Sequence, residues 1–377
     1  MTVTRLLWVV ALGWLLRFVP LLWGAQVFAD EGVYYAASAW VWEGRWPYAD
    51  FVLVHPPGIV WLLAPVSWME PANGFFAARV LTTLVGALNI LLVGRIAGVP
   101  GALCYALWPE AVTLERGPAL EPWLNCAVLG MLNTRGWASG VLGGLALGIK
   151  LWAVPWFAVL LFRKDWKALA VVPVVFAMLV APFDLGALAD QVFGFQLERP
   201  PDGADRWARL AALLHPQHLL FTAMGAYAAL RFRSPLAVPW VLTWMAFLAA
   251  PGFWNRYTVF LALATAVIAV PIHRIHLAAA TMVAFTFSLW QTQYKDPPVP
   301  EGAMGLDSAV TLRANRLPPI PDLYATMLRA GGAIDDPRAQ DVVLGVLMDE
   351  PVLHIRDEDR EWLTPESEAR LGLDGGP

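Results

Sequence analysis

Two adjacent carboxylates, Asp30 and Glu31, stand where a long apolar run gives way to a polar segment. Carboxylates so placed can do two kinds of work. They take a proton from a hydroxyl, or they cap the start of a helix, where an anion opposes the macrodipole. The same segment continues through Pro47-Tyr48-Ala49-Asp50-Phe51 and His55-Pro56-Pro57-Gly58, and further along stand Glu115-Arg116, Glu121-Pro122, Lys150 and Asn255-Arg256-Tyr257. Singly, each has a plain structural reading. Glu121-Pro122 opens a helix, Lys150 and Arg256 snorkel to headgroups, His55 makes a structural hydrogen bond, and Pro56-Pro57-Gly58 turns the chain. Gathered at one face, these carboxylates and cations suit a reaction in which a base takes a hydroxyl proton and fixed positive charge receives a departing phosphate.

The elements that must position them are membrane helices. The 377 residues are 58% hydrophobic and 15% charged, against about 25% charged in a soluble domain, and the 20 Trp and 18 Phe suit membrane interfaces. The expected fold is an all-α polytopic membrane protein of about 11 transmembrane helices, with apolar runs at 5–24, 76–95, 99–114, 118–134, 136–149, 151–162, 168–183, 216–230, 236–253, 257–272 and 275–291. Arg17 interrupts the first run, so an uncleaved helix is the better reading there than a signal peptide. A long first outer loop, 25–75, carries amphipathic helices, one running from Asp30 toward Glu43 and one from Ile59 toward Met69. Residues 1–294 form the membrane domain and 295–377 a small extracytoplasmic segment.

Charge supports that topology. With the N-terminus cytoplasmic, the inner loops collect Arg5, Arg95, Arg135, Arg163, Lys164, Lys167, Arg231, Arg233 and Arg274, with only Asp165 acidic among them, as the positive-inside rule requires. Asp30, Glu31, Asp50, Glu110, Glu121, Asp184 and Asp205 then fall outside. From Lys295 onward 8 Lys and Arg stand against 16 Asp and Glu, which argues against nucleic acid as a partner and against docking on anionic lipid. Cys104 and Cys126 lie in apolar stretches and point to neither a disulfide nor a thiolate metal site. Gly140, Gly144 and Gly148 recur every fourth residue, a face that lets a neighbouring backbone approach closely.

At the outer-loop residues the sequence resembles the GT-C superfamily of polyprenyl-phosphate-sugar glycosyltransferases, which includes protein O-mannosyltransferases and the aminoarabinose transferases of lipid A. The acidic pair Asp30-Glu31, the aromatic helix after it, Pro47-Tyr48-Ala49-Asp50-Phe51 and His55 to Gly58 carry the likeness. Arg116 with Leu120-Glu121-Pro122, Gly148-Ile149-Lys150 and Arg256-Tyr257 are similar to later family elements. The Lys turn departs from the pattern, with Ile149 before Lys150 and Leu151 after it, and the tail holds no family motif.

The resemblance implies inverting transfer of a sugar from a polyprenyl phosphate to an extracytoplasmic acceptor hydroxyl on a lipid, glycan or protein. The setting is a multi-pass protein of the bacterial plasma membrane. Asp30 is the implied general base and Glu31 its companion. Arg256, Lys150 and Arg116 are implied to bind the donor phosphate, while Glu121, His55, Tyr48, Asp50 and Tyr257 support the site or the acceptor. Glu31, Glu121 and His55 are candidates to hold a divalent metal ion, Mg or Mn, and the loop 191–209 is a candidate cover. A polytopic transporter or lipid flippase is the alternative, though its ionisable groups would sit near the midplane within an inverted repeat. A catalytically dead scaffold of the same fold is a third reading.

Overall fold

In the computed structural model the described residues are 3–25, 29–198, 222–223, 226–227, 235–249, 258–268, 285–286, 298–331, 333–348, 350, 352–353, 355 and 357–373. Among them the protein is helical, and its only β-pairings are isolated bridges at Pro47–Phe51 and Met304–Leu353. The chain divides into two compact units.

The first unit comprises Met1–Gln26, Arg79–Val180 and Pro201–Lys295. Helix α1 (Val3–Phe18) runs into a 3-10 turn, Val19–Trp23, closed by Gly24 at φ 79°. That left-handed conformation suits a glycine. The helix is inverted relative to a soluble one: Leu7, Trp8, Leu15 and Leu22 are exposed while Arg17 is fully buried. Such a surface is stable only where the surroundings are as apolar as the side chains.

The long helix that ends in this unit, Pro71–Ala106, is broken at Gly98 (φ 72°, ψ −167°), two residues before Pro100. Here the sequence expected two spans, and glycine followed by proline supplies the break. Short helices Pro109–Leu114, Leu120–Asn133, Gly136–Ile149, Phe157–Phe162, Trp166–Val180, Ala237–Ala249 and Thr258–Val267 complete the described part of the unit.

The glycine face behaves as expected. A Cβ on Gly140 would lie 2.5 Å from Val171 Cβ, one on Gly144 2.6 Å from Val175 Cβ, and one on Gly148 2.5 Å from Leu179 Cδ1. Helix Gly136–Ile149 therefore packs backbone to side chain on Trp166–Val180. Overfilling such a contact costs about 1–3 kcal/mol. Gly144→Val is expected to lower the thermal midpoint of the detergent-solubilised protein, whereas Gly345→Ala, whose Cβ meets nothing within 4 Å, is expected to leave it unchanged.

Two helices among the described residues, Val3–Trp23 and Pro71–Ala106, are long and apolar enough to cross a membrane. There are three if Trp166–Val180 and Leu185–Glu198, bent by 115°, count as one broken span. The polytopic helical character thus stands, while the described residues do not confirm the figure of eleven. Several expected spans are helices of only 10–14 residues, Gly136–Ile149, Ala237–Ala249 and Thr258–Val267 among them. The expected span at 275–291 and most of 216–230 lie outside the described residues.

The second unit comprises Val27–Ala78, Ala181–Pro200 and Asp296–Pro377. The outer loop supplies helix α2 (Ala29–Trp42) and helix α3 (Gly58–Ser67), entered through Pro57. Both helices match the amphipathic segments expected there. The tail contributes Ser308–Arg313, Leu323–Gly331 and Pro337–Leu347. Met304, Leu306, Leu323, Met327, Ala339, Val343 and Leu347 form its core, so the apolar cluster at 342–347 does organise a small structured body. A second cluster joins Ala325 and Leu328 of the tail to Val54 of the outer loop and Phe195.

Arg316 grips Glu350 with two hydrogen bonds of 2.6 and 3.1 Å, and the guanidinium holds the Glu350 carboxyl below its usual range. A depressed carboxylate stabilises above the unfolded pKa, and that stabilisation is lost as pH falls through the folded pKa. For so accessible a pair the effect is below about 1 kcal/mol. Glu350→Gln is expected to loosen the tail slightly at neutral pH, seen as faster amide exchange at 350–355. The difference from the parent chain should shrink as pH falls through the lowered Glu350 pKa.

Candidate functional site

In the second unit, Asp30 and Glu31 both lie in the first turn of Ala29–Trp42, inside the helix rather than at its cap. Their charge suits the N-terminal end of the macrodipole. Adjacent helical positions face different ways, and the two carboxylates differ accordingly: Asp30 is half-buried, Glu31 fully buried.

One turn on from Asp30 stands Tyr34, whose ring lies 6.0 Å from that of His55, so His55 is brought to the face of the helix that Asp30 shares. One turn on from Glu31 stands Tyr35, fully buried, its ring edge-on to Phe75 at 5.7 Å. Burial pushes the Tyr35 hydroxyl up to about 12.

The segment between the two helices is tied by hydrogen bonds. Tyr48 occupies the left-handed region, φ 71°, a strained conformation for a bulky residue. Its hydroxyl donates to the His55 carbonyl at 2.6 Å. Gln191, in the π-helical turn Asp190–Gly194, donates to the Tyr48 carbonyl at 3.1 Å and accepts from the Leu53 amide at 3.0 Å. Gln196 donates to the Val54 carbonyl at 3.3 Å. Asp50 closes a local turn by accepting from the Trp46 amide at 2.6 Å, and its side chain is exposed. Trp46, Trp61, Tyr48 and Phe183 pack ring against ring.

In the first unit, Lys150 and Glu121 are brought together: Nζ lies 2.7 Å from Oε1, both side chains at most 6% exposed. The ammonium also stands 5.3 Å from the centre of the Phe260 ring. Lys150 is therefore a buried, paired cation and does not snorkel. Arg116, also buried, donates from Nη2 to the Leu16 carbonyl at 3.3 Å, and its own carbonyl accepts from Arg79 Nε at 3.2 Å.

Beside it lies a pairing that the sequence reading missed. Arg17 Nε donates to Glu115 Oε2 at 2.6 Å, both side chains fully buried. Glu115 Oε1 also accepts from Asn89 at 2.7 Å and Tyr105 at 2.8 Å, while Asn125 donates to the Tyr105 hydroxyl at 2.9 Å. Room for the pair is made by Gly86, where a Cβ would fall 2.8 Å from Glu115 Oε2 and 3.0 Å from Arg17 Cδ. The available signal was the charge itself, since an arginine inside an apolar span needs a partner.

Asp30, Glu31, Tyr48, Asp50 and His55 fall in one unit, and Arg116, Glu121 and Lys150 in the other. Arg256 and Tyr257 lie outside the described residues, as does 199–209 of the candidate cover loop. Among the described residues no three His, Cys, Asp or Glu side chains gather as a metal-binding group.

No protein-family model matches the chain. It is 27% identical over 201 residues to the GPI mannosyltransferase 1 of Aspergillus fumigatus, covering 51% of this chain and 43% of that protein. It is 30% identical over 155 residues to the GPI mannosyltransferase 1 of Emericella nidulans, covering 37% and 31%. The matched stretch spans less than half the length of these curated relatives. In structure it resembles ArnT from Cupriavidus metallidurans bound to undecaprenyl phosphate, with a TM-score of 0.63 at 13% identity over 99% of this chain and 95% of that one. Against ArnT in the apo state the TM-score is 0.51 at 17% identity, over 70% and 58%. The chain thus resembles two mannosyltransferases over part of its sequence, ArnT in its fold and, through the outer-loop motifs, the GT-C superfamily of membrane glycosyltransferases.

Proposed function

We propose that the protein is a membrane glycosyltransferase that moves a sugar from a polyprenyl-phosphate donor to an extracytoplasmic acceptor hydroxyl. The likeness along nearly the whole chain to a structure of ArnT bound to undecaprenyl phosphate carries this reading. Mannose is the first sugar to test, because both sequence relatives are named for it.

In this reading Asp30 takes the proton from the acceptor hydroxyl as the oxygen attacks the anomeric carbon from the side opposite the phosphate. The C–O bond to the phosphate breaks as the new one forms, and configuration inverts. Asp30 is half-buried, so it combines access to an acceptor with a fixed place in the helix. Buried Glu31 supports the turn. Arg256, Lys150 and Arg116 stabilise the charge left on the lipid phosphate. Glu121 pairs with Lys150 and orients it, since a lone ammonium would be costly to bury. Tyr48 and Asp50 shape the loop, and His55, with Tyr257, lines the acceptor side.

A Mg or Mn ion, if the reaction uses one, is held mainly through the donor phosphate with one or two carboxylates of the chain. Turnover before and after EDTA treatment and metal resupply reads that out. The primary test incubates the purified protein with polyprenyl-phosphate mannose, glucose and aminoarabinose and follows lipid phosphate release together with acceptor glycosylation. Release coupled to transfer supports the proposal. No turnover with any donor and acceptor, from protein that is folded and monodisperse, overturns it.

A further inference from the structure

The tail holds no recognisable motif, yet it meets the Asp30–Glu31 turn. Gly32, the next residue of that turn, has no side chain, and the space a Cβ would need is filled by the backbone of the tail. The built Cβ overlaps the Ala309 amide nitrogen and lies 2.6 Å from the Ser308 carbonyl carbon and 2.7 Å from Ala309 Cα. Backbone atoms cannot swing aside as the end of a flexible side chain can. The tail helix Ser308–Arg313 thus packs directly on α2, main chain against main chain, at the turn that carries both carboxylates.

The tail segment at this contact is itself held firmly. Asp307 is buried and its Oδ1 accepts from the Ala309 amide at 2.8 Å, which fixes the start of the helix. Ser308 donates to the Pro321 carbonyl at 2.6 Å, and Thr311 donates to the Gly305 carbonyl and accepts from the Gly305 amide. The contact is repeated further along α2, where Trp40 Nε1 donates to the Pro318 carbonyl at 2.8 Å. It recurs beyond α3, where the Ala72 amide donates to Asn315 Oδ1 at 3.2 Å. Segment 307–318 therefore grips α2 at both ends.

We infer that this tail segment is a positioning element of the catalytic loop: through Gly32, Ser308 and Ala309 it fixes the turn that presents Asp30 to the acceptor. The inference rests on the reading given under Proposed function. Its physical content is that proton transfer needs the carboxylate within hydrogen-bond reach of the acceptor hydroxyl. A misplacement of about 1 Å is enough to cost on the order of a hundredfold in rate. Donor binding is assigned to the residues of the other unit, so loosening or shifting the tail moves kcat and leaves donor affinity alone.

Two variants of different severity test this in the full-length protein. Gly32→Ala drives a methyl into the tail backbone, and Trp40→Phe removes one hydrogen bond without changing the ring packing much. Gly345→Ala, on the tail but facing open space, is the control. For each, kcat, donor KM, binding of undecaprenyl phosphate and hydrogen exchange of the amides at 30–36 are measured.

The inference expects a kcat loss of at least about tenfold in Gly32→Ala and a smaller one in Trp40→Phe. Exchange at 30–36 should rise in the same order, with donor KM and lipid binding unchanged and the control at parental values. If Gly32→Ala fails to fold, Trp40→Phe decides. Parental kcat in the folded variants overturns the inference, whether or not exchange changes, and leaves the glycosyltransferase reading intact. A parent chain inert on every donor removes that reading itself.

Discussion

On the proposed mechanism, replacing Asp30 by Asn is expected to lower sugar transfer by about 10²–10⁴-fold, with the thermal midpoint and the affinity for polyprenyl phosphate close to those of the parent chain. Asn keeps the volume and the oxygen acceptor and loses only the basicity and the charge. At a half-buried position in a first helical turn, the lost favourable interaction with the helix dipole is about 0.3–1 kcal/mol. That is far too little to account for a loss of activity through unfolding. Glu31→Gln is the informative contrast, because Glu31 is fully buried and its replacement should disturb stability as well as rate. The measurement is steady-state transfer beside a melting curve for both variants. Turnover by Asp30→Asn at the parental rate would show that the base lies elsewhere.

The second large effect concerns stability. Glu115→Ala leaves Arg17 buried without its carboxylate and also strips acceptors from Asn89 and Tyr105. Breaking a buried ion pair at one end costs about 3–5 kcal/mol. A double replacement, Arg17→Met with Glu115→Leu, removes both charges and should be markedly less damaging. The observable is the thermal midpoint of the two proteins in the same detergent. Equal destabilisation by the single and double replacements would mean that charge compensation is not what holds these helices.

How much of this was legible in the sequence differs from element to element. Helices at 29–42 and 58–67 followed from amphipathic patterning and from the Pro-Pro-Gly turn, and the Gly140 series announced a close helix pair. Those signals are local, so one chain suffices to read them. The number of membrane crossings was less legible, because apolar runs of 10–16 residues suit a short helix as well as a span, while the break at Gly98 does fall between the two runs expected at 76–95 and 99–114.

Among site residues, the charges were visible but their partners were not. Lys150 and Glu121 were both singled out and assigned separate tasks, and their direct pairing emerged only in three dimensions. Gln191 was noted only as the start of the candidate cover loop, since its work is done on backbone groups more than a hundred residues away. Gly32 looked like an ordinary small residue after two acids. Its purpose lies in a backbone that arrives from the other end of the chain.

One consequence of the Tyr48 hydroxyl bonded to the His55 carbonyl concerns the shape of the loop in time. The bond joins the ends of an eight-residue segment, so that stretch behaves as a small macrocycle stapled by one side chain. Most of its conformational freedom is already spent before any substrate arrives. Burial raises the Tyr48 hydroxyl far above its ordinary pKa, so the staple keeps its proton at neutral pH. The closure of this loop segment therefore does not hinge on a titration near neutrality.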